Sequence, residues 1–219
     1  MLTIYGVYRS RATRPLWLLE EIGLDFAHQP VIQAYRLPIA EAPDAPLNTR
    51  SPQFLAVNPM ALIPSMDDEG FVLHESLAIT LYLAKKYGGQ LGPKDLQEDA
   101  LMVQWALFAA TGIETPALDM QKLLGGDQAN TPEGTTKAQA LAASLERPFD
   151  VLEAHLKQTG TMVGGRFTAA DIIVAEIVRY AQGYAPLLAA RPALKAWLEG
   201  CQARAGFKAM WEKRLQEPA

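Results

Sequence analysis

Strand signals in this 219-residue chain stop near residue 90 and do not return, and no other feature narrows the fold as much. Before that point, short apolar and β-branched runs alternate with helical spacing. LTIYGV at 2–7 reads as a buried strand, and TRPLWLLEEIG at 13–23 reads as a helix stopped by Gly23. Residues 26–32 read as a second strand, and SPQFLAVNP at 51–59 as a short helix ended by Pro59. LIPSMDDEGFVL reads as a hairpin turning at Asp67–Gly70, and ESLAITLYLAKKYGG as a helix closed by Gly88 and Gly89. A helical crossover between the first two strands favours a parallel pair, and the hairpin adds an antiparallel pair. The sum is a four-stranded mixed sheet with helices. Residues 33–50 carry three prolines and no clean period, which reads as a long irregular loop.

GQLGPKD at 89–95 reads as a linker. Beyond it, residues 96–124, 132–158, 168–182 and 192–214 carry helical spacing interrupted at GG, TP and RP. Thr168 and Asp171 form the pattern of a capping box before an apolar run. The expected fold class is therefore α/β followed by all-α: an N-terminal domain at 1–88, a linker at 89–95 and an all-helical domain at 96–219.

Composition excludes several classes. A net charge of -4 argues against nucleic acid as the main partner, because phosphate binding needs a basic surface. No apolar run approaches the length of about 18 residues that suggests a membrane span. Cys201 is the single cysteine, so neither a disulfide framework nor a CxxC pair exists within the chain. No signal peptide is visible at the start, and the reading is cytoplasmic. His28, His74 and His155 lack metal-type spacing, so no metal is expected.

Two constellations carry chemistry. In YRSRATRP, Pro15 belongs in the first turn of the helix, which leaves Ser10 in the loop just before a helix N-terminus. That place suits an anion, and it equally suits a turn or capping serine. In the second constellation, Ile63–Pro64 opens the hairpin and Glu75–Ser76 opens the next helix. Ser76 and the helix N-terminus offer donors to a carboxylate, and Glu75 offers a partner to an ammonium.

Ser10 in SRATR, the block NPMALIPSMDDEGFVLHESLAITLYLAKKY and GGRFTAADI at 164–172 together resemble the cytosolic glutathione transferase family. The likeness covers essentially the whole chain, and its opening loop is similar to that of bacterial, serine-type, phi/theta-like members. It implies a thioredoxin-like first domain, a helical second domain and a homodimer. It implies a transferase joining glutathione to hydrophobic electrophiles, with peroxide reduction as a further activity. The alternative is a non-catalytic glutathione-binding or partner-binding protein of the same fold.

By the same resemblance, Ser10 would hydrogen-bond the glutathione sulfur and favour its thiolate. One hydrogen bond to a charged group is worth about 1.5–3 kcal/mol, and a helix end adds about 0.3–1 kcal/mol. Ile63 would pair its backbone with the cysteinyl unit across a cis Pro64, and Glu75 and Ser76 would hold the γ-glutamyl end. Leu62 stands where the family often has Lys or Gln for the glycine carboxylate, and Arg50 is the expected substitute, ahead of Arg36 and the opening-loop arginines. Tyr8, Trp105, Phe108 and Thr111 would form the electrophile pocket, with Tyr180 a further candidate; aromatics at such spacing also serve as core.

Overall fold

The computed structural model describes residues 1–217. By contacts the chain divides into two units, Met1–Gly89 with the segment from Ala205 onward, and Gln90–Arg204. The expectation of one helical domain over 96–219 is thus corrected at its C-terminal end, where the last helix packs on the first unit.

The first unit is built on a four-stranded sheet in the order β2-β1-β3-β4, from strands β1 (Leu2–Tyr5), β2 (Ala27–Gln29), β3 (Ser65–Asp68) and β4 (Phe71–His74). β1 runs parallel to β2 and antiparallel to β3, with Ile4 opposite His28 on one side and Met66 on the other. The sheet is mixed, as a crossover followed by a hairpin requires. Helix α1 (Thr13–Ile22) ends at Gly23, whose φ of 70° is the left-handed stop glycine supplies without strain. The short α2 (Pro52–Leu55) follows the irregular segment, and α3 (Ser76–Tyr87) follows the hairpin.

Every residue from Thr13 to Leu19 is buried, because α1 is packed by α3 and also by α10 (Ala205–Gln216). A helix covered on more than one side has no need of a single apolar stripe. Trp17 is wholly buried and meets Phe207 of α10 edge to face at 5.0 Å. Asp68, expected as a turn acid, instead lies buried at the end of β3. It accepts from Lys86 Nζ (2.6 Å), the Tyr82 hydroxyl (2.8 Å) and the Tyr87 hydroxyl (2.9 Å) of α3. Burial pushes its carboxyl up, but these donors more than reverse it and leave the pKa lowered.

The second unit comprises α4 (Leu96–Gly112), α5 (Glu114–Leu124), α6 (Pro132–Thr159), α7 (Ala169–Val178), α8 (Ala185–Ala189) and α9 (Pro192–Gln202). Helix α7 is buried at every position, with α4, α5 and α9 packed around it. Its start carries the expected capping box. The RP pair at 147–148 does not break α6, which runs through Pro148. The carbonyl that loses its partner there belongs to Ser144, on the exposed face where water can serve it. The expected helix over 192–214 is two helices, α9 and α10, divided at 203–204.

Candidate functional site

Ser10 lies in the loop immediately before α1, half-buried. Its hydroxyl accepts from the backbone N–H of Ala12 (3.0 Å) and donates to the carbonyl oxygen of Val7 (2.6 Å). A carbonyl can only accept, so the single proton of Ser10 is spent on Val7 in this state. The turn-serine role is therefore present, and serving a sulfur would mean moving that proton. Gly6 precedes the loop with φ 150°, and a Cβ there would lie 3.1 Å from Ala12 Cβ. That close approach holds the loop against the start of α1.

The Ile63–Pro64 peptide is cis. No partner for the N–H or C=O of Ile63 is present among the described residues, so its backbone edge is open to an extended peptide. Asn58, 2% exposed, shapes this approach by donating to Leu62 O (2.8 Å) and Ser65 Oγ (3.1 Å) and accepting from Met60 N (3.0 Å). Leu62 itself is exposed.

Glu75 stands at the entry to α3 with φ 68° and ψ 115°. For a non-glycine residue such a conformation costs about 1–3 kcal/mol and persists where surrounding structure enforces it. It presents an exposed carboxylate just before the helix N-terminus. Ser76 is buried, and its Oγ accepts from Arg14 Nη1 at 2.9 Å. A hydroxyl that accepts from a cation keeps its own proton available elsewhere, so Ser76 retains a donor. Arg14 is the participant that sequence reasoning missed. It lies on α1, only 1% exposed, and nothing in the T-R-P run separates it from the neighbouring arginines.

Arg50 lies on the irregular segment with its guanidinium exposed and paired to Glu41 at 2.8 Å. This bond lowers the Glu41 carboxyl below its ordinary range. Any other carboxylate must compete with Glu41 for it.

Tyr8 is buried and meets His28 edge to face at 5.1 Å. It lines a cavity of about 950 Å³ in the first unit, shared with Phe26, Ile32, Leu37 and Lys213 but not with Ser10, Ile63 or Ser76. Burial raises the pKa of Tyr8, while the nearby Lys213 opposes that rise. In the second unit, Trp105 is packed between Phe108 (5.4 Å between ring centres) and His155 (4.6 Å), which makes it a core residue of that unit. Phe108 is partly exposed, and Thr111 is exposed with its hydroxyl donating to Leu107 O (2.8 Å). Tyr180 is buried, with the Arg179 guanidinium 4.9 Å from its ring centre. Among the described residues, no cluster of three or more His, Cys, Asp or Glu could hold a metal ion. No helix among them is long and apolar enough to cross a membrane.

A second long-range contact joins the site loop to the end of α10. The Glu217 carboxylate accepts from Tyr8 N (2.7 Å) and Arg9 N (2.8 Å). More than two hundred residues of chain separate these partners, so no local pattern announces the contact.

Family models and known proteins agree on one relationship. Residues 8–86 match the glutathione S-transferase N-terminal domain, and 135–200 match the C-terminal domain of the same family. Glutathione S-transferase 3 of Zea mays is 33% identical, with 94% of this chain and 91% of that protein covered. Glutathione transferase F7 from Populus trichocarpa superposes with a TM-score of 0.77 at 28% identity, covering 98% of this chain and 99% of that one. The theta class glutathione S-transferase of Xanthomonas axonopodis pv. citri, solved with glutathione bound, gives 0.74 at 26% identity, covering 95% of both chains.

Proposed function

Since this chain belongs to the glutathione S-transferase family, we propose that Ser10 stabilises the thiolate of bound glutathione for attack on a hydrophobic electrophile. The activity is that of a glutathione transferase, with glutathione as co-substrate. The observation that carries the assignment to Ser10 is its place: a half-buried hydroxyl directly before α1, whose proton has one competing acceptor, Val7 O.

That competitor sets the magnitude. Moving the proton from Val7 O to a thiolate exchanges a neutral hydrogen bond of about 1 kcal/mol for one to an anion of about 1.5–3 kcal/mol. The gain is about 1 kcal/mol, close to one pKa unit. Without the Val7 bond Ser10 would deliver about twice that. The helix end contributes about 0.3–1 kcal/mol beside it.

The remaining groups are assigned along the peptide. The unpaired backbone of Ile63, followed by Pro64, pairs with the cysteinyl unit. Ser76, its proton not engaged by Arg14, donates to the γ-glutamyl carboxylate, and Glu75 accepts from the γ-glutamyl ammonium. Arg50 binds the glycine carboxylate after leaving Glu41. For the electrophile, Tyr8 is the candidate in the first unit, and Phe108 and Thr111 are the candidates in the second, with Trp105 behind Phe108 as support. A cytoplasmic homodimer completes the reading, with exposed Phe71 and Val72 on the edge strand β4 as candidate contacts; a monomeric mass by light scattering would refute the dimer.

One observation favours a non-catalytic carrier: the proton of Ser10 is already engaged. Thiolate absorbance of the glutathione complex against pH decides between the two. Catalysis by Ser10 requires a depressed thiol pKa that rises by about one unit in Ser10→Ala, with glutathione affinity changed less. Tight binding with an ordinary thiol pKa in both proteins means a carrier.

A further inference from the structure

We propose that Glu217 is a positioning residue that restrains Ser10 through a single peptide group. The Val7–Tyr8 peptide presents its C=O to Ser10 Oγ at 2.6 Å and its N–H to Glu217 Oε1 at 2.7 Å. The end of the chain is tied to the loop at several further points. The second carboxylate oxygen of Glu217 accepts from Arg9 N (2.8 Å), Arg9 Nε donates to the Glu217 carbonyl (3.0 Å), and Arg214 donates to Tyr8 O.

An anion that accepts from an amide N–H draws electron density toward the carbonyl oxygen of the same amide. Hydrogen bonds in such a chain strengthen one another by about 10–30% each. Val7 O is thereby the better acceptor, and the Ser10 proton is held more firmly away from a sulfur. The charge of Glu217 also opposes a second negative charge nearby, and that effect does not need the Ser10 hydroxyl, so a Ser10→Ala background separates it from the relay through the peptide. Release of the C-terminal segment from the loop then makes Ser10 a stronger thiolate stabiliser.

This inference rests on Ser10 serving the glutathione sulfur, and a four-protein cycle separates the two claims. The thiol pKa of the glutathione complex is read by thiolate absorbance in wild type, Ser10→Ala, Glu217→Gln and the double variant. Glu217→Gln is expected to lower the pKa by about 0.1–0.2 unit more, roughly a 1.2- to 1.6-fold greater rise in thiolate at neutral pH, when Ser10 is present than when it is Ala. An equal fall in both backgrounds means a plain charge effect and overturns the relay. No fall in either background, with Ser10→Ala still raising the pKa, overturns the role of Glu217 alone. No effect of Ser10→Ala overturns the assignment of Ser10, and the relay with it. Glu217→Asp, which draws the carboxylate back by one methylene, gives a second reading: a smaller fall dependent on Ser10 supports the relay, and none contradicts it.

Discussion

Replacing Asp171 by Ala should destabilise the second unit strongly. Asp171 is wholly buried, and its carboxylate accepts four hydrogen bonds. Met162 N and Trp197 Nε1 donate to one oxygen at 2.9 Å each, and Thr168 N (2.9 Å) and Thr168 Oγ1 (3.0 Å) donate to the other. Burial pushes this carboxyl up, and the four donors pull the other way without reversing the rise. Alanine strands three N–H groups; the Thr168 hydroxyl can rotate. At about 1–3 kcal/mol for each stranded donor, and allowing for water entering the vacated space, the cost is about 4–6 kcal/mol. In a chain of this length that lowers Tm by about 10–20 °C. Asparagine should cost about half as much: its NH2 can face Thr168, whose hydroxyl turns to accept, leaving one N–H opposed. Urea unfolding and thermal melting followed by circular dichroism would measure both. An alanine variant within about 3 °C of wild type, or an asparagine variant as damaged as alanine, would refute this account.

The Arg50 assignment has a two-signed test. Arg50→Ala should weaken glutathione binding by about tenfold, the worth of one charge-assisted contact, whereas Glu41→Gln should tighten it by freeing the guanidinium; titration calorimetry reads both, and unchanged affinity in the pair removes Arg50 from the site. In the second unit, Arg166 donates to both oxygens of Glu98 (3.0 and 2.7 Å). Hydrogen bonding from Arg166 holds the Glu98 carboxyl down at about 2, from an ordinary 4.5, while burial pulls against it. A depressed carboxyl contributes stability above its unfolded pKa and loses it as pH falls through the folded value. Stability should therefore decline between about pH 4.5 and 2, and Arg166→Gln should flatten that decline in urea midpoints measured across the range. An acid limb unchanged by the substitution would show that other carboxylates set it.

The elements legible in the sequence are those whose causes are local. Gly23 ends α1 because a left-handed residue is needed there, and Thr168 with Asp171 opens α7 through bonds three residues apart. A crossover and a hairpin give the parallel pair β1–β2 and the antiparallel pair β3–β4, but not that β1 lies beside β3. What the sequence hid was decided at a distance. The last helix joins the first unit because Phe207 meets Trp17, and its own apolar residues show no stripe that names a partner. Asp68 reads as a turn acid until Tyr82, Lys86 and Tyr87 of α3 are seen converging on it.

The candidate site divides the same way, and the division bears on mechanism. Ser10, Ile63–Pro64 and Glu75–Ser76 stood out because each sits where an element begins, and element boundaries are where backbone donors go unpaired. The groups behind them did not stand out: Val7 O, Arg14 and Glu217 act only once folding has brought them close. Yet these hidden groups decide what the visible ones can donate. Arg14 donates to Ser76 and leaves its proton uncommitted to Arg14, whereas Val7 O engages the proton of Ser10. The structure thus holds one hydroxyl that retains a donor and another whose proton is engaged. Under the proposed roles, binding at Ser76 would need no rearrangement, and thiolate stabilisation at Ser10 would need one rotation of an O–H bond. Affinity for glutathione and depression of its thiol pKa should then respond to different residues, and a variant that moved both in proportion would contradict that separation.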